Sequence, residues 1–294
     1  MPVSNVFLGA QGASSQITIR RIGFADLKDA LAKGFGDFYA MPTHAIFLCA
    51  IYPVVGLLLA RLAFGYSILP LLYPLVTGFA LIGPVAALGL YELSRRREAG
   101  LAASASHALD VMQSSSIGAI IALSLLLFGL FVLWVAFANA IYIANFGYAP
   151  PASIPTFVHD LFTTPAGWRL IVVGNGVGFL FAVTVLTIGM VSFPLLLDRD
   201  VGAAVALLTS IKAVLKNPLI MSAWGLIVAA LLLVGSLPAF LGLTIVMPVL
   251  GHATWHLYRK VVDAEASPRP TLPPPPTKRR YAADFPAALF PWAR

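Results

Sequence analysis

Between Ile117 and Tyr142 the sequence runs without one charged residue. An α-helix needs about 20 apolar residues to cross the hydrocarbon of a bilayer. Five further apolar runs resemble it: His44 to Leu62, Ile68 to Leu93, Trp168 to Leu197, Leu219 to Val234 and Leu237 to Lys260. In lipid, backbone polar groups must be satisfied within the segment, so such runs become helices. The expectation is an all-α, polytopic membrane bundle of six transmembrane helices. Charged residues make up 11% of the chain, against about 25% in soluble domains. That is too few to cover a globule in water.

The last run sets the orientation. It starts apolar, passes through Trp255 and Tyr258, and closes on Arg259 and Lys260. Aromatic rings followed by cations mark a helix leaving the bilayer on its positive side. With six spans both termini share that side, and every Lys and Arg except Arg61 and Arg169 falls there. The positive-inside rule then puts both termini in the cytoplasm. The net charge of +7 therefore reflects topology, and its placement points to the lipid bilayer as partner and away from nucleic acid. The first forty residues lack the apolar core of a cleavable signal peptide. With Cys49 as the single cysteine, an internal disulfide and a cysteine-based metal site are excluded.

Three parts follow. Residues 1–42 form a cytoplasmic segment, polar and small at first. Ile22, Leu27, Leu31 and Phe35 then recur near helical spacing, which predicts an amphipathic surface helix over Phe24 to Lys33, ended by Gly34 and Gly36. Residues 43–260 hold the six spans, with Pro53 kinking the first. The cytoplasmic connections Ser94 to Ser116 and Asp198 to Pro218 each carry charges followed by an Ala- and Leu-rich helical pattern. They read either as a weak internal repeat or as two unrelated amphipathic connectors. The outer loop Asn145 to Gly167 holds four prolines and no Lys or Arg. Residues 261–294 form a proline-rich, extended spacer ending in Tyr281, Phe285, Phe290 and Trp292. That aromatic peptide reads as a docking element for a partner subunit, or as a segment that folds back on its own face or on headgroups.

Candidate chemistry gathers at the cytoplasmic ends. His252 and His256 are four apart and share one helix face, a spacing that suits one metal ion. His44, Glu92 and Asp198 end other spans at similar depth, so the five make a candidate metal site of the kind helix bundles build. The competing reading is that polar residues collect where helices reach water. Two histidines on one helix face cannot be the axial pair of one haem, although either could pair with His44. Elsewhere His107 and His159 read as surface residues, and Ser114 to Ser116 have no nucleophile elbow around them. Gly174, Gly176 and Gly178 around Asn175 suggest close helix packing, with Asn175 bonding a neighbour. No charged residue lies deep in any span, which argues against a proton-coupled carrier.

Two groups of residues carry a resemblance. One is Arg20-Arg21-Ile22, Asp26-Leu27, Ala30-Leu31, Gly34, Asp37-Phe38, Pro42-Thr43-His44 and Tyr52-Pro53. The other is Gly251 through Arg259, GHATWHLYR. Together they resemble a bacterial family of predicted polytopic inner-membrane proteins of unknown function, whose members are sometimes labelled putative cytochrome c oxidase components. The resemblance implies a bacterial inner-membrane location, and an accessory role beside a respiratory complex is compatible with it. Histidines in mid-membrane, which an oxidase catalytic subunit needs, are absent. The functional expectation is a non-enzymatic accessory or scaffold subunit with no assigned cofactor. The alternatives are a carrier or channel for an uncharged solute, and a metal- or haem-binding protein using His44, His252 and His256.

Overall fold

A computed structural model describes residues 17–41, 54, 56–58, 61, 69–149 and 151–263. The fold is all-α with one two-residue ribbon. In chain order come β1 (Thr18–Ile19), α1 (Phe24–Ala40), α2 (Leu72–Glu98), a 3-10 helix (Ala105–Gln113) and α3 (Ile117–Phe146). Then follow α4 (Ile154–Thr163), α5 (Pro165–Asp198), α6 (Ala203–Lys216), α7 (Pro218–Ser236), α8 (Leu243–Val261) and β2 (Val262–Asp263).

Four of these helices, α2, α3, α5 and α7, are long and apolar enough to cross a membrane. They correspond to the second to fifth expected spans. Most of the first expected span lies outside the described residues; Val54, Gly56, Leu57, Leu58 and Arg61 within it are helical. The sixth begins later than expected. Leu237 to Gly242 form turns in which Ala239 and Phe240 take positive φ, and α8 starts only at Leu243. Its 19 residues include His252, His256, Arg259 and Lys260, so it is not one of the four.

Proline chemistry shapes α2. Pro84 has no N–H to give to the preceding turn, and the helix tightens into a 3-10 turn over Ala80–Ile82 before it resumes. The indole Nε1 of Trp134 on α3 donates to the Pro74 carbonyl at 2.9 Å and pins this broken helix. On α5, a Cβ at Gly178 would meet the Trp134 ring at 3.0 Å, so Gly178 does allow close packing, whereas Gly174 and Gly176 face open space. Asn175 bonds a neighbour as expected, accepting from Tyr73 Oη at 2.7 Å. The connection between α3 and α5 contains α4, which Ser153 caps by accepting from Thr156 N.

Helix lengths locate the core. α5 has 34 residues and is therefore about 51 Å long, well beyond the roughly 30 Å of hydrocarbon. Its first half is largely exposed, whereas Gly189 to Asp198 are all buried. There α6 folds back antiparallel along it. Ser210 Oγ donates to Thr187 O and accepts from Val191 N, and Ser192 Oγ donates to Ala206 O. α8 is buried over most of Pro248 to Val261. The core thus sits at one end of the bundle, where α2, α5 and α8 finish.

α1 completes that core and is longer than its glycines suggested. It continues through Gly34 and Gly36 to Ala40 and lies antiparallel to α8. Gly34 is a point of contact, not a stop. A Cβ there would come 2.7 Å from Ala253 Cβ and 2.8 Å from Val249 O. Leu27 and Ala30 join the same core as α2, α5 and α8. The two connectors also differ in form, one being the 3-10 helix Ala105–Gln113 and the other the α-helix α6.

Candidate functional site

The polar residues at the packed end fall into separate networks, each tying different helices. Asp37 of α1 is at the centre of the most buried one. Its Oδ2 accepts from Ser94 Oγ of α2 at 2.6 Å and faces His256 Nε2 of α8 at 2.9 Å; its Oδ1 accepts from Arg97 Nη1 at 2.6 Å. Ser94 Oγ also lies 2.7 Å from His252 Nδ1. A hydroxyl has one proton to give. Because Ser94 gives it to Asp37, His252 Nδ1 is the donor to Ser94, which fixes the imidazole tautomer. Its other nitrogen, Nε2, is buried without a hydrogen-bond partner among the described residues. Burial alone would raise the Asp37 carboxyl, but the bonds from His256 and Ser94 outweigh it and hold Asp37 below the ordinary carboxylate value.

Glu92 anchors a second network. It is 1% exposed, and Arg95 grips it through Nε and Nη2, both at 2.8 Å. Arg96 Nε reaches it at 3.0 Å and continues through Nη2 to Asp110 at 2.7 Å, tying α2 to the 3-10 helix. In the third, Asp198 at the end of α5 accepts from Tyr258 Oη at 2.9 Å, Arg199 Nε at 3.1 Å and Arg259 Nη1 at 3.4 Å. Arg259 Nε and Trp255 Nε1 both donate to Glu98 of α2. In the fourth, Lys260 bridges Asp26 at 3.1 Å and Asp29 at 2.9 Å. The Gly23 amide and then Lys260 hold Asp26 low, and Lys260 and Lys33 do the same for Asp29. The terminal ribbon closes the end, with Thr18 opposite Asp263, Ile19 opposite Val262, and Arg20 paired to Asp263 at 2.6 Å.

The five candidate ligands are therefore not gathered as one set. His252 and His256 do share a face and converge on Asp37, a residue the sequence did not single out. Glu92 and Asp198 are occupied in other networks by arginines, and His44 lies outside the described residues, as do Tyr281, Phe285, Phe290 and Trp292. Among the described residues no group of three or more His, Cys, Asp and Glu is placed to hold a metal ion. Nor is Ser94–His252–Asp37 a nucleophile triad. In a triad the imidazole lies between hydroxyl and carboxylate and takes the hydroxyl proton. Here the hydroxyl lies between them, gives its proton to the carboxylate, and is fully buried. What the arrangement does is hold helix ends together. Its members come from α1, α2 and α8, and a buried charge left without its partner costs several kcal/mol.

The family comparison bears on α2 through α5. Residues 71–198 match the DUF2189 family model, described as predicted integral membrane protein. The match takes in Glu92, Ser94, Arg97 and Asp198 but not Asp37, His252 or His256. The function of that family is unknown, and its description carries no cytochrome c oxidase assignment. No curated protein and no solved structure matches the chain. The DUF2189 match and the four apolar helices agree that this is an integral membrane protein.

Proposed function

We propose that the protein is a non-enzymatic accessory or scaffold subunit of a bacterial inner-membrane complex, a respiratory one being the leading case. It has six spans and both termini in the cytoplasm. The observation that carries this reading is the use made of the polar side chains. The buried carboxylates Asp37, Glu92 and Asp198 are all spent on neighbouring side chains at helix ends, and the buried His252 engages Ser94 through Nδ1. The membrane-facing helices offer exposed apolar side chains instead, such as Leu125, Phe128, Phe179, Leu180, Leu226 and Leu233. A rigid polar end beneath a broad apolar surface suits assembly better than chemistry.

A tagged copy extracted in mild detergent should bring down defined membrane subunits in fixed ratio, and removal of residues 268–294 should weaken that recovery. A lone monomer under a range of mild detergents would contradict the proposal.

One feature favours a second reading, a carrier for an uncharged solute. α2 is interrupted by the 3-10 turn Ala80–Ile82, and a further 3-10 turn, Leu69–Leu71, leads into it; discontinuous helices line the substrate sites of many transporters. Solute flux in liposomes separates the two. A visible spectrum with elemental analysis tests the metal or haem reading built on His44, His252 and His256.

A further inference from the structure

The position of α7 singles out one patch of surface. With 19 residues this helix is about 29 Å long, just enough for the roughly 30 Å of hydrocarbon. Its first residue, Pro218, therefore lies at the hydrocarbon boundary, and the residues before it lie at headgroup level. Asn217 is the junction. Its Oδ1 accepts from Ile22 N at 3.0 Å and its Nδ2 donates to Arg20 O at 3.0 Å, so the chain on both sides of Arg21 is held against this junction. Lys216 Nζ donates to Ile19 O at 2.6 Å, and Lys212 lies one helical turn earlier on the same face.

Arg21, Lys212 and Lys216 are exposed, and no carboxylate among the described residues pairs with any of them. Several other cations at this end of the bundle behave differently, although Lys28 of α1 is likewise exposed and unmatched among the described residues. Arg95, Arg96, Arg97, Arg259 and Lys260 are each matched to Asp or Glu. Large exposed apolar side chains lie within three residues of Arg21, Lys212 and Lys216 along the chain. Leu215 is 73% exposed, Leu219 68% and Phe24 59%. Uncompensated cations at headgroup depth, set among bare apolar groups, complement a phosphate with acyl chains below it.

We propose that the surface around Asn217, formed by Arg21, Lys212 and Lys216 with Phe24, Leu215 and Leu219, is a binding site for an anionic phospholipid. The cations take the headgroup phosphate and the apolar side chains contact the acyl region. This goes beyond the scaffold reading and does not depend on it, since a carrier would carry the same site.

The test titrates the detergent-solubilised full-length protein with phosphatidylglycerol, phosphatidylcholine or inorganic phosphate and reads the rise in unfolding temperature. Phosphatidylglycerol should stabilise, and the other two should not. Each cation removed should weaken the apparent affinity about fivefold. Lys212→Gln is the cleanest variant, because Lys212 makes no bond within the described fold. Arg21→Gln combined with it should weaken binding about 25-fold. Arg169→Gln, at the other end of the bundle, should leave it unchanged. Equal stabilisation by phosphatidylcholine or by phosphate alone would overturn the proposal, as would undiminished phosphatidylglycerol binding in the double variant.

Discussion

Gly34 of α1 and Ala253 of α8 touch backbone to backbone: a Cβ on Gly34 would come 2.7 Å from both the Cβ and the amide nitrogen of Ala253. This contact seats the amphipathic helix against the last helix. It also explains why the packed end has no room for a side chain there.

Replacing Gly34 tests that seating. Gly34→Ala presses against backbone, which cannot give way as a flexible side chain can, and should cost about 1–3 kcal/mol of stability. Gly36→Ala, two residues on, meets nothing within 4 Å. There the gain in helix propensity should stabilise by about 0.5–1 kcal/mol. Thermal unfolding of both variants in detergent, read by far-UV circular dichroism, should move in opposite directions.

Asp37 should dominate the acid side of the stability profile. Its carboxyl is held below the ordinary value, so its contribution is fully present above the unfolded-state pKa of about 3.9. It is lost as pH falls through the lower folded value. Asp26 and Asp29 are held low as well and act in the same direction. Asp37→Asn keeps one acceptor oxygen but removes the charge that faces Arg97 and His256, and should lower stability at neutral pH by about 1.5–3 kcal/mol. It should also flatten the fall in unfolding temperature below pH 4. An unchanged acid slope in the variant would contradict the assignment.

The bond from Trp134 to the Pro74 carbonyl should be worth about 1 kcal/mol. Trp134→Phe removes the donor from a side chain only 4% exposed and should lower the unfolding temperature by a matching amount. Trp168→Phe removes a similar bond, to Phe162 O at 3.0 Å, from a side chain 54% exposed. Its effect should be clearly smaller, and unfolding curves of the two side by side decide the point.

The long apolar helices were legible in the sequence because lipid imposes one simple rule on them. α3, α5 and α7 begin and end within a few residues of where the apolar runs do. What escaped were the places where tertiary contact replaces a local rule. Gly34 and Gly36 read as a helix stop, but the first is a contact and the second a tolerated interior residue. Leu237 to Gly242 are apolar enough to look like helix, yet the chain turns there with two positive φ values. At the site, the shared face of His252 and His256 followed from their spacing alone. Their common partner Asp37 is more than two hundred residues away, beyond the reach of any spacing argument. The capture of Glu92 was within reach, because Arg95 and Arg96 stand three and four residues after it, where helical neighbours meet.

The proposed topology puts the packed polar end and α4 on opposite sides of the membrane, with the polar end in the cytoplasm. Single cysteines introduced as Ala102→Cys and Ala152→Cys, in a Cys49→Ser background, test it directly with a membrane-impermeant maleimide on intact cells. The Ala152→Cys protein should label at once, and the Ala102→Cys protein only after the membrane is opened. Labelling of both without permeabilisation, or the reverse pattern, would contradict it.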